Sequence, residues 1–348
     1  MKPAIPGRLH AQGLDRPRLE SPLDVVRHLG CVQSQLHDMA LWSVARRTGD
    51  VTLAELQHWF DAGDVLRTHV LRPTWHLVAP DDIHWLQALT GPRVRRLVET
   101  TNRSIGLTSD VVDQGVAVIV DALSDGRPHT RTDLASSLSA AGLRLTGQAV
   151  AHVVMTAEVE ALVASGPLDG KQHTYRLLPP GPPLPDRDEL LAQVARRYAQ
   201  GHGPVRDQDL AWWTSLTLTE SRRAIELGGL RPLDVDGQQY WCLDEPVEAT
   251  APAVMLLSNF DEYISYVRDP TDFARSGGSV DDLLRGTGLL VLDGMVAGSW
   301  RRAFTATRVT IDVRHAPTLS RSAQRLLQAE AEAFGRFVER EPALRLVD

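Results

Sequence analysis

Apolar positions along the chain fall into short amphipathic segments bounded by polar caps and turns, and one order of segments recurs three times. In the first copy, Ser21 before Pro22 is an N-cap followed by a favoured first helical residue, which predicts a helix over 23–29. A second helix is expected over 39–47. Thr52 with Glu55 is a capping-box pattern that opens a third helix, running to Asp61. Two short β-type runs follow at 66–70 and 75–78, joined by Leu71-Arg72-Pro73-Thr74.

The second copy predicts helices over 110–123, 130–140 and 146–162, then a β pair at 162–163 and 174–177 with the turn Asp169-Gly170-Lys171. A proline-rich linker at 177–186 precedes the third copy. That copy has helices near 187–199, 206–216 and 219–227 and strands at 233–235 and 240–243 around Asp236-Gly237. After Asp244 the pattern turns to β, at 254–257, 289–292, 296–300 and 305–313, with Asp293-Gly294 as one turn. Gly286-Thr287-Gly288 is a turn signal and no more. An amphipathic helix over 319–339 is expected to close the chain, its stripe Ala323, Leu327, Ala331, Phe334 and Val338 docking on the body.

Three short helices followed by a hairpin is the winged-helix form of the helix-turn-helix. The expected fold is therefore α+β: three tandem winged-helix units forming a concave body, plus a C-terminal β-rich unit and a terminal helix. The units divide at 1–106, 107–180, 181–247 and 248–348. Winged helices bind DNA or other proteins, so the pattern alone leaves a DNA enzyme, a noncatalytic DNA-binding protein and an interaction scaffold all open.

Composition narrows this. With 43% apolar residues in 348, the chain has material for a large core and is not disordered. Its net charge of −7 speaks against nonspecific coating of nucleic acid and leaves room for a local basic face. Cys31 and Cys242 stand alone, which suits a reducing cytoplasm and builds neither a disulfide frame nor a zinc site. The N-terminus lacks a secretory apolar core, and the most apolar stretch, 148–166, is broken by His152, Glu158 and Glu160, so no membrane partner is expected. Phosphate-loop, dinucleotide, zinc-protease and serine-hydrolase signatures are missing, and no cofactor or metal is expected. No coiled-coil heptads supply a dimer seam, so a monomer is expected. All but two of the 37 basic residues are arginine, lysine standing only at positions 2 and 171. Schiff-base chemistry therefore has few candidates.

One polar pair stands out at the end of an apolar run: Leu29-Gly30-Cys31-Val32-Gln33-Ser34-Gln35. In an extended chain Gln33 and Gln35 share a side, and taken alone they also suit a helix-end cap. The surrounding stretch LGCVQSQLHDMALW, with LRTHVLRPTWHLVAPDDIHWL, GHGPVRDQDLAWWTSLT, LLSNFDEYISYVRD and GLLVLDGMVAGSWRR, resembles the AlkZ/YcaQ-like winged-helix DNA glycosylases. That bacterial family excises N7-alkylated guanine and, in some members, unhooks interstrand crosslinks. The resemblance spans about residues 21–302 and implies a DNA glycosylase acting on double-stranded DNA that carries alkylated bases.

By that resemblance Gln33 and Gln35 are the catalytic pair, Gln35 positioning water and Gln33 supporting it and the deoxyribose. A glutamine carbonyl orients water and opposes oxocarbenium charge without acting as a strong base. A purine cationic at N7 leaves without a general acid, and the lack of a suitable lysine makes the enzyme monofunctional. The first hairpin, with Thr74 and His76, is implied to lie near the lesion. Arg67, Arg72, Arg93, Arg95 and Arg96 are candidates for DNA contact, and His69 is a packed or DNA-facing residue on the same hairpin. Asp261, Trp300, Arg301 and Arg302 are implied to lie near the site, and Trp212-Trp213 reads as core, with a stacking platform as the alternative. Two departures are Ser34, where the family has an aliphatic residue, and Pro73, where it has glycine.

Overall fold

The structure is a computed structural model describing residues 4–15, 19–245, 247, 250–269, 273, 287–315 and 319–347. Gly286 of the turn signal lies outside the described residues.

The first repeat contains α2 (Pro22–Leu29), β1 (Val32–Gln33), α3 (His37–Thr48), α4 (Leu53–Ala62), β2 (Leu66–His69) and β3 (Trp75–Val78). Its local signals act as expected: Ser21 Oγ accepts from the Asp24 N–H, Pro22 sits in the first turn, and Thr52 with Glu55 forms a complete capping box. The second repeat has the same order in α6 (Ser109–Leu123), β4 (His129–Thr130), α7 (Arg131–Ala140), α8 (Gln148–Val159), β5 (Val163–Ser165) and β6 (Thr174–Leu177). Both close a three-stranded sheet in which the short first strand pairs with the last, β1-β3-β2 and β4-β6-β5. The third repeat has α9 (Arg187–His202), α10 (Asp207–Thr214), α11 (Leu218–Leu227), β7 (Arg231–Val235) and β8 (Gln238–Cys242), its first strand reduced to a bridge between Val205 and Trp241. The first repeat is preceded by α1 (Ala4–Ala11).

A 22-residue helix, α5 (Ile83–Ser104), joins the first two repeats. It crosses α8 so closely that a Cβ on Gly91 would stand 2.8 Å from the Val159 carbonyl oxygen. Downstream, β9 (Val254–Leu257), β10 (Gly288–Leu292), β11 (Met295–Phe304), β12 (Arg308–His315) and β13 (Glu341–Val347) form one sheet in the order β13-β12-β11-β10-β9. The short α12 (Glu262–Ser265) follows β9, and α13 (Arg321–Phe337) joins β12 to β13. The expectation that a helix ends the chain is corrected here: α13 stops at Phe337 and β13 adds parallel to β12 as an edge strand, where Pro342 is tolerated.

The second repeat has its own core, built on Ile119, Leu134, Leu138, Val153 and Val163. The first repeat does not. Val26, Leu29, Trp42 and Leu77 pack in one cluster with Leu256, Leu290, Trp300 and Phe334 of the C-terminal sheet and α13. A second shared cluster joins Leu66, Val70 and Leu86 to Tyr198 and Trp213 of the third repeat and to Met255 and Tyr263. Among the described residues, no helix is long and apolar enough to cross a membrane.

Candidate active site

The glutamine pair is placed by the break after α2. Gly30 ends that helix at φ +81°, and a Cβ there would stand 3.0 Å from the Trp213 ring, so glycine is needed both for the backbone and for the approach of α10. The chain then extends as β1, with Val32 opposite Leu77 and Gln33 opposite His76, and the Ser34 N–H donates to the Trp75 carbonyl at 2.7 Å. Side chains alternate along this segment. Gln33 Oε1 accepts from Arg72 Nη2 at 3.0 Å, Ser34 Oγ from Arg67 Nε at 3.2 Å, and Gln35 Oε1 from the Trp75 N–H at 3.2 Å. Gln33 is nearly buried, whereas Gln35 is exposed. Both amide carbonyls are thus oriented by donors of the β2–β3 hairpin, one from its turn and one from the start of β3.

That turn is tight. Leu71 adopts φ +67°, the Arg72 N–H donates to Val70 O at 2.7 Å, and the Thr74 N–H donates to Arg72 O at 2.7 Å. Pro73 is exposed between the two bonded N–H groups, so the donor it lacks is not one the turn uses. The departure from glycine is accommodated.

Arg72, half-buried, also donates from Nη1 to the Ser265 carbonyl at 3.2 Å. Burial pulls its pKa down and the Glu262 carboxylate pushes it back up. Glu262 is fully buried; its Oε1 accepts from the Gln33 N–H at 2.9 Å and its Oε2 meets His202 Nε2 at 3.2 Å. Burial raises the Glu262 carboxyl, but its surroundings, with the hydrogen bonds to His202 and the Gln33 N–H among them, hold it below its ordinary value. An anionic carboxylate therefore backs the Gln33 strand. His76 is fully buried, and its Nδ1 meets the Thr74 carbonyl at 2.9 Å, a contact that needs the proton on Nδ1. Burial, reinforced by Arg72, lowers its pKa to about 3, so the ring is neutral.

Arg67 does not face solvent. It is 2% exposed, donates from Nε and Nη2 to the Ser34 carbonyl at 3.1 and 3.0 Å, and lies 4.4 Å from the Trp75 ring centroid. Burial lowers its pKa to about 10, which leaves it charged at neutral pH. Arg67, a candidate for DNA contact in the sequence, is engaged inside the protein. His69 is likewise packed, its Nδ1 2.5 Å from Glu158 Oε2 and its ring 4.4 Å from Trp75. Arg95 is ion-paired with Glu160 and with Asp113, bracing α5 against the second repeat. Arg93 is half-buried, and Arg96 is the exposed arginine of that run.

Asp261 is fully buried in a two-pronged pair with Arg47, at 2.8 and 3.1 Å. The same guanidinium reaches Gln12 O and Oε1, each at 2.9 Å, so Asp261 ties α1 and α3 to the segment that carries Glu262. Trp300 is core and donates to the Leu257 carbonyl at 2.8 Å; Arg302 pairs with Asp38 at 2.6 Å, and Arg301 is exposed. One site neighbour escaped sequence reasoning. Glu262 carries no distinguishing local signal. The tryptophan pair splits between its two readings: adjacent helical residues point about 100° apart. Trp213 is fully buried, whereas Trp212 is 47% exposed with its ring 5.7 Å from the Arg72 guanidinium. Among the described residues, no group of three His, Cys, Asp or Glu side chains could hold a metal.

Comparison with solved structures matches the Streptomyces sahachiroi DNA glycosylase AlkZ, with a TM-score of 0.77 at 23% identity over 100% of both chains. This establishes a common fold. Comparison with curated proteins gives no match. The family model described as "DNA glycosylase AlkZ-like" matches residues 26–337, from α2 to the end of α13 and so through every element described above except α1 and β13, and on that match the chain belongs to the AlkZ-like DNA glycosylase family.

Proposed function

We propose that the chain is a monofunctional glycosylase that excises N7-alkylated purines from double-stranded DNA, with Gln33 and Gln35 as its catalytic pair. Its three helix-and-hairpin repeats are read as winged-helix units, with limits at 106, 180 and 247. It acts as a monomer in the cytoplasm, a setting that suits its two free, buried cysteines.

The observation that carries this reading is the holding of both amide carbonyls by one hairpin, Gln33 through Arg72 and Gln35 through the Trp75 N–H. Each carbonyl oxygen has two lone pairs, so each can accept a further hydrogen bond. Gln35, the exposed member, orients water for attack on C1′. Gln33, fixed by Arg72 and backed by the Glu262 carboxylate, opposes positive charge developing on the sugar. Water oxygen bonds to C1′ as the bond from C1′ to N9 breaks. That electron pair neutralises the cationic purine, and the water proton passes to solvent. No protonated acid is needed, in keeping with the neutral His76. Exposed Arg96 on α5 and the exposed hairpin tip at Pro73 are the proposed points of contact with the DNA backbone.

The test is single-turnover release of base from a duplex with one N7-methylguanine, by wild type and Gln35→Ala. Release by wild type with at least about a 100-fold loss in the variant is expected for removal of a group that positions the nucleophile. Sequence-selective binding with no release, unaffected by Gln35→Ala, would mark a noncatalytic DNA-binding protein instead.

A further inference from the structure

Of the eight tryptophans, Trp212 alone is exposed. It projects from α10 of the third repeat, and its ring lies 5.7 Å from the guanidinium that holds the Gln33 carbonyl. Its helix neighbour Trp213 takes the core position, packing beside Tyr198 and His202 with no exposed surface. The pair therefore presents one indole to the interior and one to the surroundings of the glutamines. An exposed apolar side chain alone signals nothing; what sets Trp212 apart is a flat indole face held next to the arginine that fixes Gln33. The Arg72 guanidinium, which also donates to Gln33 and Ser265, lies over the ring at 5.7 Å, yet the residue is still 47% exposed, so indole surface remains open beside the site.

We infer that Trp212 contacts the damaged nucleotide, stacking its indole on the alkylated purine that the glutamine pair releases. The inference rests on the glycosylase reading and deepens it. A purine alkylated at N7 is a flat ring system carrying a positive charge, and the negative face of an indole attracts it more strongly than it attracts neutral guanine. Trp212 thereby sets affinity for the lesion, while Gln33 and Gln35 set the rate of bond cleavage. Arg72 links the two, since one guanidinium borders the indole and fixes the Gln33 amide.

The test compares wild type, Trp212→Leu and Trp212→Phe in single-turnover release from an N7-methylguanine duplex, titrating enzyme. Trp212→Leu keeps an apolar side chain on α10 and removes the π face; circular dichroism verifies its fold. Its half-saturating concentration is expected to rise about 10-fold, the scale of one base-aromatic stack. Its rate at saturation should stay within about 2-fold, and Trp212→Phe should remain within about 3-fold of wild type in both. An unlabelled duplex with ordinary guanine should compete about as well against either protein, while an N7-methylguanine competitor loses its advantage against Trp212→Leu. Equal half-saturation for wild type and Trp212→Leu overturns the inference alone. So does a loss confined to the saturated rate, which would mark Trp212 as a prop for Arg72. No release by wild type overturns the glycosylase reading and the inference with it.

Discussion

Replacing Arg67 by methionine tests whether the glutamine segment is held from inside the protein. The perturbation removes two hydrogen bonds to the Ser34 carbonyl and one to its hydroxyl, and the guanidinium over Trp75. A buried carbonyl left without a partner costs about 1–3 kcal/mol, and the lost cation-π contact adds about 0.5–2 kcal/mol. Part is returned because a charge no longer has to be desolvated. A net loss of about 1–3 kcal/mol is therefore expected from urea midpoints followed by tryptophan fluorescence. Base release measured well below the midpoint should also slow at saturating enzyme, because Ser34 sits between the two glutamines. Ser34→Ala is the matched control: Arg67 keeps its bonds to the backbone carbonyl, so stability should change by less than about 1 kcal/mol. The reasoning fails if Arg67→Met matches Ser34→Ala in stability and rate. If the variant's defect lies in salt-dependent DNA affinity with an unchanged rate, Arg67 returns to the phosphate contacts.

Three further outcomes are expected. Burial holds His37 and His76 near pKa 3 in the folded chain, against 6.5 ordinarily, so between these values the unfolded chain binds more protons. Stability should be full above pH 6.5 and fall as pH drops, each histidine contributing a slope approaching about 1.4 kcal/mol per pH unit, and His76→Gln should flatten the urea-midpoint profile. Arg47→Ala leaves the Asp261 carboxylate buried without its cation and should cost about 3–5 kcal/mol, read as loss of soluble folded protein or a large fall in urea midpoint. Pro73→Gly loosens the unfolded chain without removing a hydrogen bond, so thermal unfolding should show a loss of about 0.4–1 kcal/mol.

The repeats were legible because their boundaries rest on strong local chemistry. Thr-x-x-Glu and Thr-x-x-Asp capping boxes open α4, α7 and α11. Asp236-Gly237 and Asp293-Gly294 adopt the paired positive φ angles that tight hairpins require. Elements defined by distant partners were not legible. β1 is two residues long and exists through its pairing with β3, while α5 runs through Gly91-Pro92, a local helix-breaking signal. In the site, the family motif drew attention to Gln33 and Gln35, which an extended chain would set on one side; β1 ends at the nearly buried Gln33, and Gln35 lies exposed beyond it. The fate of the basic residues was not readable, because residue type alone does not separate an arginine that meets DNA from one that holds a backbone carbonyl. Arg67 and Arg95 look alike in sequence; one is sealed against Ser34 and the other braces two repeats.

The hydrogen bond from the Gln33 N–H to Glu262 spans 229 residues. A ribosome therefore finishes the glutamines long before it makes the carboxylate behind them, and α2, α3 and β1 wait for the C-terminal sheet that completes their core. The first repeat should emerge as a loosely structured segment and acquire a competent site only when the last third of the chain docks, so no partly made chain could cut a base from DNA. A split of the gene after the second repeat should yield an N-terminal half that holds both glutamines yet is inert, with activity returning when the remaining half is supplied in trans.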